Sequence, residues 1–197
     1  AELYYQGLGT TMKHFACADD TVRCVYLAAP LKLLALAGDA IGRGSCVVYD
    51  TESASQNSNS PLFQIARKSP IWSVNISPDG SWLTLGGYDS TIAVYDLNEL
   101  VAAARARKSV VDIEPLQEIN YKPAKNPLGF IWSSHFSKAS STFVVGSWNG
   151  YAYVYDVASP AEARKAKKIS PQRSRATAEL EPPRESGRMR VLSERGR

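Results

Sequence analysis

The residues of this chain that carry reactive chemistry are few: His14 and His135, Cys17, Cys24 and Cys46, and aspartates at the ends of apolar runs. General acid/base or nucleophilic catalysis needs such groups to converge, and their spacing gives no sign of it. His135 sits in an apolar run beside Trp132 and Phe136, a setting for packing or a hydrogen bond. No HExxH, paired CxxC or GxxxxGKS/T pattern occurs, so neither a zinc site nor a phosphate cradle is predicted. Gly146-Ser147-Trp148-Asn149-Gly150 places a serine between glycines, but off the GxSxG spacing of a nucleophile elbow, and reads as a hairpin. An odd number of cysteines without CxxC spacing suits buried, reduced thiols in an intracellular protein, cytoplasmic or nuclear. The expectation is a non-enzyme with no catalytic residue, no cofactor and no metal.

The elements that would position these groups come as a repeat. A first strand is predicted at Val22–Leu27, Ile71–Ile76 and Phe130–Phe136, and a second at Leu33–Ala37, Trp82–Gly86 and Thr142–Gly146. Between them lies a reversal, clearest as Pro78-Asp79-Gly80, where proline fixes φ and glycine supplies a positive one. Third strands, Cys46–Asp50, Thr91–Asp96 and Tyr151–Asp156, all end on Tyr-Asp. Fourth strands are less regular, with Leu62–Ala66 and Leu116–Tyr121 as candidates. Repetition of one antiparallel unit makes an all-β, self-stacking architecture the reading of the chain. It also gives the strand-end aspartates a structural use, which removes them as an acid/base pair.

Those copies, about 22–50, 71–96 and 130–156, resemble the WD-repeat β-propeller family. The resemblance implies four-stranded blades around a channel and a platform for protein partners. In place of the family's terminal Trp-Asp stand Tyr49-Asp50, Tyr95-Asp96 and Tyr155-Asp156, which keep a flat ring for packing between blades. No Gly-His pair precedes any copy. The family's hairpin aspartate, which joins that histidine in a hydrogen-bonded network, is matched by Asp89; Asn149 takes its place in the third copy and Asp39 is the loose candidate in the first. Of the four tryptophans, Trp72, Trp82, Trp132 and Trp148, most are expected between blades, with an exposed hot spot among them. Three blades do not close a ring, since propellers have typically about four to eight. Residues 3–16 are expected either as the last strands of a preceding blade or as a strand closing onto the final copy. The alternatives for the ring are the C-terminal part of a longer propeller or a split propeller completed by a second chain.

The organisation predicted is a partial β-propeller over residues 1–158 and a basic, mostly disordered tail over 159–197. Charge follows that division: residues 161–197 hold 11 Lys/Arg against 5 Asp/Glu, leaving 12 against 14 elsewhere. A capping box at Ser159-Pro160-Ala161-Glu162 predicts a short helix through Lys168, carrying Arg164, Lys165, Lys167 and Lys168 as candidate nuclear-import or phosphate contacts. Ser170 before Pro171 is a candidate phosphorylation context, and residues 51–60 read as a polar surface loop. Another helix is predicted over Glu99–Lys108, whose basic end, Arg105, Arg107 and Lys108, is either a partner or nucleic-acid contact or a solvated face. No run approaches the roughly 20 apolar residues of a membrane helix, so no membrane partner is expected. The function expected is a scaffold for protein partners within a multiprotein complex. The alternative is a subunit of an RNA-containing or chromatin assembly that touches nucleic acid through the basic tail.

Overall fold

The structure, a computed structural model, describes residues 2–3, 13–15, 17, 21–40, 42–52, 60–108, 113–120 and 129–169. Outside the described residues lie most of the expected polar loop at 51–60, the tail beyond Ile169 with Ser170 and Pro171, and most of residues 3–16. Two short strands, β1 (Glu2–Leu3) and β2 (Lys13–His14), pair antiparallel with each other. The first blade is β3 (Thr21–Ala28), β4 (Leu33–Ala40), β5 (Arg43–Asp50) and β6 (Phe63–Arg67). The second is β7 (Ile71–Ile76), β8 (Trp82–Gly87), β9 (Thr91–Asp96) and β10 (Gln117–Asn120). A third sheet has three strands, β11 (Ile131–Phe136), β12 (Thr142–Ser147) and β13 (Ala152–Asp156). All three sheets are antiparallel meanders, and among the described residues β13 has no fourth strand.

Turn chemistry sets the first reversals. In Ser77-Pro78-Asp79-Gly80, Gly80 takes φ +73° and its N–H bonds Ser77 O at 2.9 Å. The Asp79 carboxylate accepts from Ser77 Oγ at 2.6 Å and from Ser81 N and Oγ at 3.1 and 2.9 Å. Burial opposes its charge, but these bonds prevail and hold its pKa below the ordinary carboxylate value. In the first blade the reversal is a single 3-10 turn, Ala29–Leu31, with Pro30 at its start and Lys32 left-handed at its end.

Packing between sheets forms the core. The faces of blades one and two that meet bury Ala35, Ala37, Cys46, Val48, Phe63 and Ile65 against Ile71, Ile76, Leu83, Leu85 and Tyr95. The other face of blade two packs Trp82, Ile92 and Val94 on Ile131, Phe143 and Val145. The free side of blade one is covered in part by Phe15 and Cys17, which touch Leu34, Leu36, Val47 and Tyr49. Each fully buried Leu or Ile contributes roughly 1.5–3 kcal/mol of burial. Blade two, covered on both faces, is buried at every residue of β8, whereas β12 and β13 alternate because one face of the third sheet is bare. Blades two and three approach closely at Gly86, where a Cβ would lie 2.4 Å from Ile131 Cγ2.

Two helices follow third strands. α1 (Leu97–Arg105) starts two residues before the expected Glu99, because Asp96 caps it by accepting from Glu99 N at 3.1 Å. α2 (Pro160–Ile169) is capped as the sequence predicts: Glu162 Oε2 accepts from Ser159 N at 2.9 Å and Ser159 Oγ accepts from Glu162 N at 3.3 Å.

Candidate partner-binding surface

The first strand of each of the three blades carries the same irregularity near its start. Pairing with the second strand slips between Val22 and Cys24, between Ile71 and Ser73, and between Ile131 and Ser133. Each slip leaves one residue out of the ladder, Arg23, Trp72 or Trp132, and a bulge of this kind re-aims the side chain it frees. Because the first strands of adjacent sheets lie against one another, the three freed side chains form a row across the blades. Polar bonds fix the strands beneath that row. Cys24 Sγ pairs with the backbone of Val74, the Ser73 and Ser134 hydroxyls share a 2.8 Å bond, and Asn75 Nδ2 donates to Ser134 O at 2.8 Å.

A second row comes from the hairpins after the second strands. Tyr88 N donates to Pro70 O at 3.0 Å and Trp148 N to Phe130 O at 2.9 Å, so equivalent bonds tie the hairpins of blades two and three to the entries of their first strands. The rows merge into one aromatic cluster. Trp72 meets Trp132 edge-on with centroids 4.5 Å apart, Tyr88 stacks on Phe130 at 4.0 Å, and Trp148 lies 5.4 Å from Trp132 and 6.3 Å from Phe130. Arg23 completes it, its guanidinium 5.1 Å from the Trp72 ring centre and paired with Asp39. That pairing, above all its hydrogen bond, raises the Arg23 pKa further. Trp148, Tyr88 and Trp132 remain 59%, 47% and 45% exposed, too much apolar area for a solvated rim without a use. Trp72 is half-buried, and its Nε1 is a buried donor with no partner among the described residues. The rim offers no nucleophile or acid/base pair; its chemistry is that of an apolar, π-rich contact surface.

The sequence-predicted positions lie elsewhere. Tyr95 is buried between blades one and two, Tyr49 is buried on the free side of blade one against Phe15, and Tyr155 is half-buried. Burial raises the phenol pKa of Tyr95, against the pull of Arg67, and also that of Tyr155. Asp50 accepts from Glu52 N at 2.9 Å, Asp96 caps α1, and Asp156 ends β13 exposed. Asp89 binds Thr91 N and Oγ1 at 3.0 and 2.5 Å, and its charged neighbour is Arg67 at 4.0 Å. Arg67 also donates to Glu118 Oε1 at 2.7 Å and Thr91 Oγ1 at 3.0 Å, latching β6 of blade one to blade two. No motif in the sequence singled it out. Asn149 keeps the same turn through Tyr151 N at 3.2 Å and gives Nδ2 to the Tyr153 hydroxyl at 2.8 Å. Asp39 is not the first copy's hairpin residue: it lies within β4 opposite Gly44 and serves Arg23. Trp82 alone among the four indoles is buried between blades, so the expectation that most would be is corrected by the rim.

The basic candidates divide. Arg164 is already engaged, donating to Asp96 Oδ2 at 2.6 Å and Glu99 Oε2 at 2.9 Å, which bolts α2 back onto blade two. Lys165, Lys167 and Lys168 follow it on α2, and their side chains lie outside the described residues. Arg105, Arg107 and Lys108 are exposed at the C-terminal end of α1, where the helix dipole favours cations and disfavours a phosphate. Among the described residues no group of His, Cys, Asp and Glu could hold a metal ion, and no helix is long and apolar enough to cross a membrane.

The family model for the WD domain, G-beta repeat, matches residues 59–96, which run from the entry of β6 through the end of β9. That match covers one repeat, and the chain as a whole has a β-propeller fold. The Dos1 propeller superimposes on this chain with a TM-score of 0.55 at 19% identity, covering 75% of this chain and 33% of that one. The Cps50 (Swd1) β-propeller domain of Myceliophteria thermophila gives a TM-score of 0.49 at 15% identity, covering 71% and 36%. The chain thus spans about a third of the length of these solved propellers. No curated protein sequence matches it significantly.

Proposed function

We propose that this chain is a non-catalytic WD-repeat scaffold that binds protein partners within a multiprotein complex, and that the aromatic rim is its principal contact. The observation that carries the reading is the repeated bulge: one backbone device, used in each of the three blades, directs Arg23, Trp72 and Trp132 to one surface beside Tyr88 and Trp148. Tryptophan, tyrosine and arginine are the residues that concentrate binding energy at protein interfaces. A second contact is supported by the bare face of the third sheet. Val144 and Val154 are 38% and 66% exposed there, whereas their counterparts Ala35, Val48, Thr84 and Val94 lie under the next blade. A further blade, from this polypeptide or a second chain, fits that face. An intracellular setting is supported by the odd number of cysteines and the absence of CxxC spacing.

The test is affinity capture with the wild-type chain and with a Trp132→Ser/Trp148→Ser variant of matched stability, followed by reconstitution with each purified partner identified. Partners that bind the wild type and lose the variant support the reading; an unchanged set refutes the rim's role. A nucleic-acid reading keeps one favourable observation, the joint exposure of Arg105, Arg107 and Lys108. Affinity for RNA that falls with salt and with their replacement by alanine would establish it; no binding at low salt would end it.

A further inference from the structure

We infer that the blade-three end of the rim, the indoles of Trp132 and Trp148, is a docking site for a cationic side chain, guanidinium or ammonium, carried by a partner polypeptide. The inference rests on the scaffold reading above and specifies the chemistry the rim selects.

The chain itself shows what the position accepts. Arg23, Trp72 and Trp132 are equivalent residues of successive blades, and each packs on the next: the Arg23 guanidinium over Trp72 at 5.1 Å, then Trp72 on Trp132 at 4.5 Å. The first step of the row is therefore a guanidinium on an indole. A ring face carries the negative part of the aromatic quadrupole and attracts a cation placed over it. At the far end of the row the indoles have no such occupant among the described residues. Trp132 and Trp148 are tilted 31° to each other and remain 45% and 59% exposed, and among the described residues the Arg23–Trp72 pair is the one cation–π contact. Between Phe130 and Tyr155 the sole charged residue is Lys138, which lies in the turn between β11 and β12, at the opposite end of the blade from Trp148. No cation in that stretch competes for the ring faces, and no lysine or arginine there would hold a phosphate.

Binding strength would be modest for one contact. Cation–π pairs, from exposed to desolvated, correspond to about a twofold to thirtyfold gain in affinity over a neutral isostere. The shape of the rim adds apolar area to any partner, so the discriminating quantity is this ratio and not the affinity itself.

The experiment uses the full chain and follows the indole N–H resonances of Trp132 and Trp148, with buried Trp82 as an internal control. Capped Gly-Gly-Xaa-Gly-Gly peptides, with Xaa arginine, citrulline, norleucine or glutamate, are titrated into the millimolar range, alongside pentathymidylate. The expected result is that the arginine peptide moves both rim indoles and binds at least about threefold more tightly than the citrulline peptide. Trp148→Leu, which keeps an apolar side chain but removes the ring, should abolish that preference, and Trp148→Phe should restore part of it. Equal shifts with arginine, citrulline and norleucine, or no shift with any peptide, would overturn the cation preference while leaving the scaffold reading to its own capture test. Shifts from pentathymidylate alone would overturn both.

Discussion

Replacing Gly86 with alanine places a methyl group 2.4 Å from Ile131 Cγ2 and 3.0 Å from its Cβ, where carbon atoms normally rest about 3.5–4.0 Å apart. Overpacking of this kind costs about 1–3 kcal/mol, offset in part by the smaller entropy of an unfolded chain without that glycine. Ile131 is fully buried between blades two and three, so Ile131→Ala alone should cost about 2–5 kcal/mol through lost burial and the cavity left behind. In the double variant the added methyl enters space that Cγ2 has vacated. The combined loss should then fall short of the sum of the two single losses by about 0.5–3 kcal/mol. Against a typical stability of about 5–15 kcal/mol, each single variant should still fold. Urea unfolding of the four proteins, followed by far-ultraviolet circular dichroism, measures the cycle, with an unchanged m-value as the check that the unfolded state is unaltered. Additivity within about 0.3–0.5 kcal/mol would refute the claim that blade three approaches blade two through this pair.

Three further outcomes follow from the same structure. Arg164→Ala should release α2, raising amide exchange over residues 160–169, while global stability falls by about 1 kcal/mol, because Arg164 and Glu99 are exposed and the buried Asp96 keeps its capping bond to Glu99 N. The folded pKa of Asp79 is lowered, so the stability from its charge is complete above its ordinary value of 3.8 and is lost as pH falls through the lower folded value. Asp79→Asn should flatten that acid limb in pH-dependent unfolding, and an unchanged limb would contradict the role given to the Ser77 and Ser81 bonds. Burial, reinforced by Cys17 and Cys24, pushes the Cys46 thiol well above its ordinary pKa, so iodoacetamide should leave Cys46 unmodified in the native chain and label it after unfolding.

The blade was legible in the sequence because its signals are local. Alternation, the Pro78-Asp79-Gly80 turn and the repeated Tyr-Asp ends bring the predicted strands within a few residues of those observed. Capping was legible for α2, where Ser159 and Glu162 sit at box spacing, but α1 begins earlier because a strand-terminal aspartate also serves as its cap. The rim was not legible. Trp72 and Trp132 each follow an isoleucine in an alternating run, and alternation alone sends them to a sheet face; a bulge is a property of pairing between two strands. Arg67 was missed for a similar reason, since its partners Asp89, Thr91 and Glu118 belong to another blade. Asp39 was misplaced by reading the first hairpin as longer than it is: β4 continues through Ala40 and takes the aspartate into the strand.

The most direct test of the central claim, that partners dock on the aromatic rim, is position-specific photocrosslinking in cells. Photoreactive p-benzoylphenylalanine would replace Trp148 on the rim or, as the control, Lys138 in the exposed turn at the opposite end of the same blade. The account predicts discrete crosslinked protein species from position 148 that are lost on adding Trp132→Ser, and none of those species from position 138. The same species arising from position 138, with none from position 148, would contradict it.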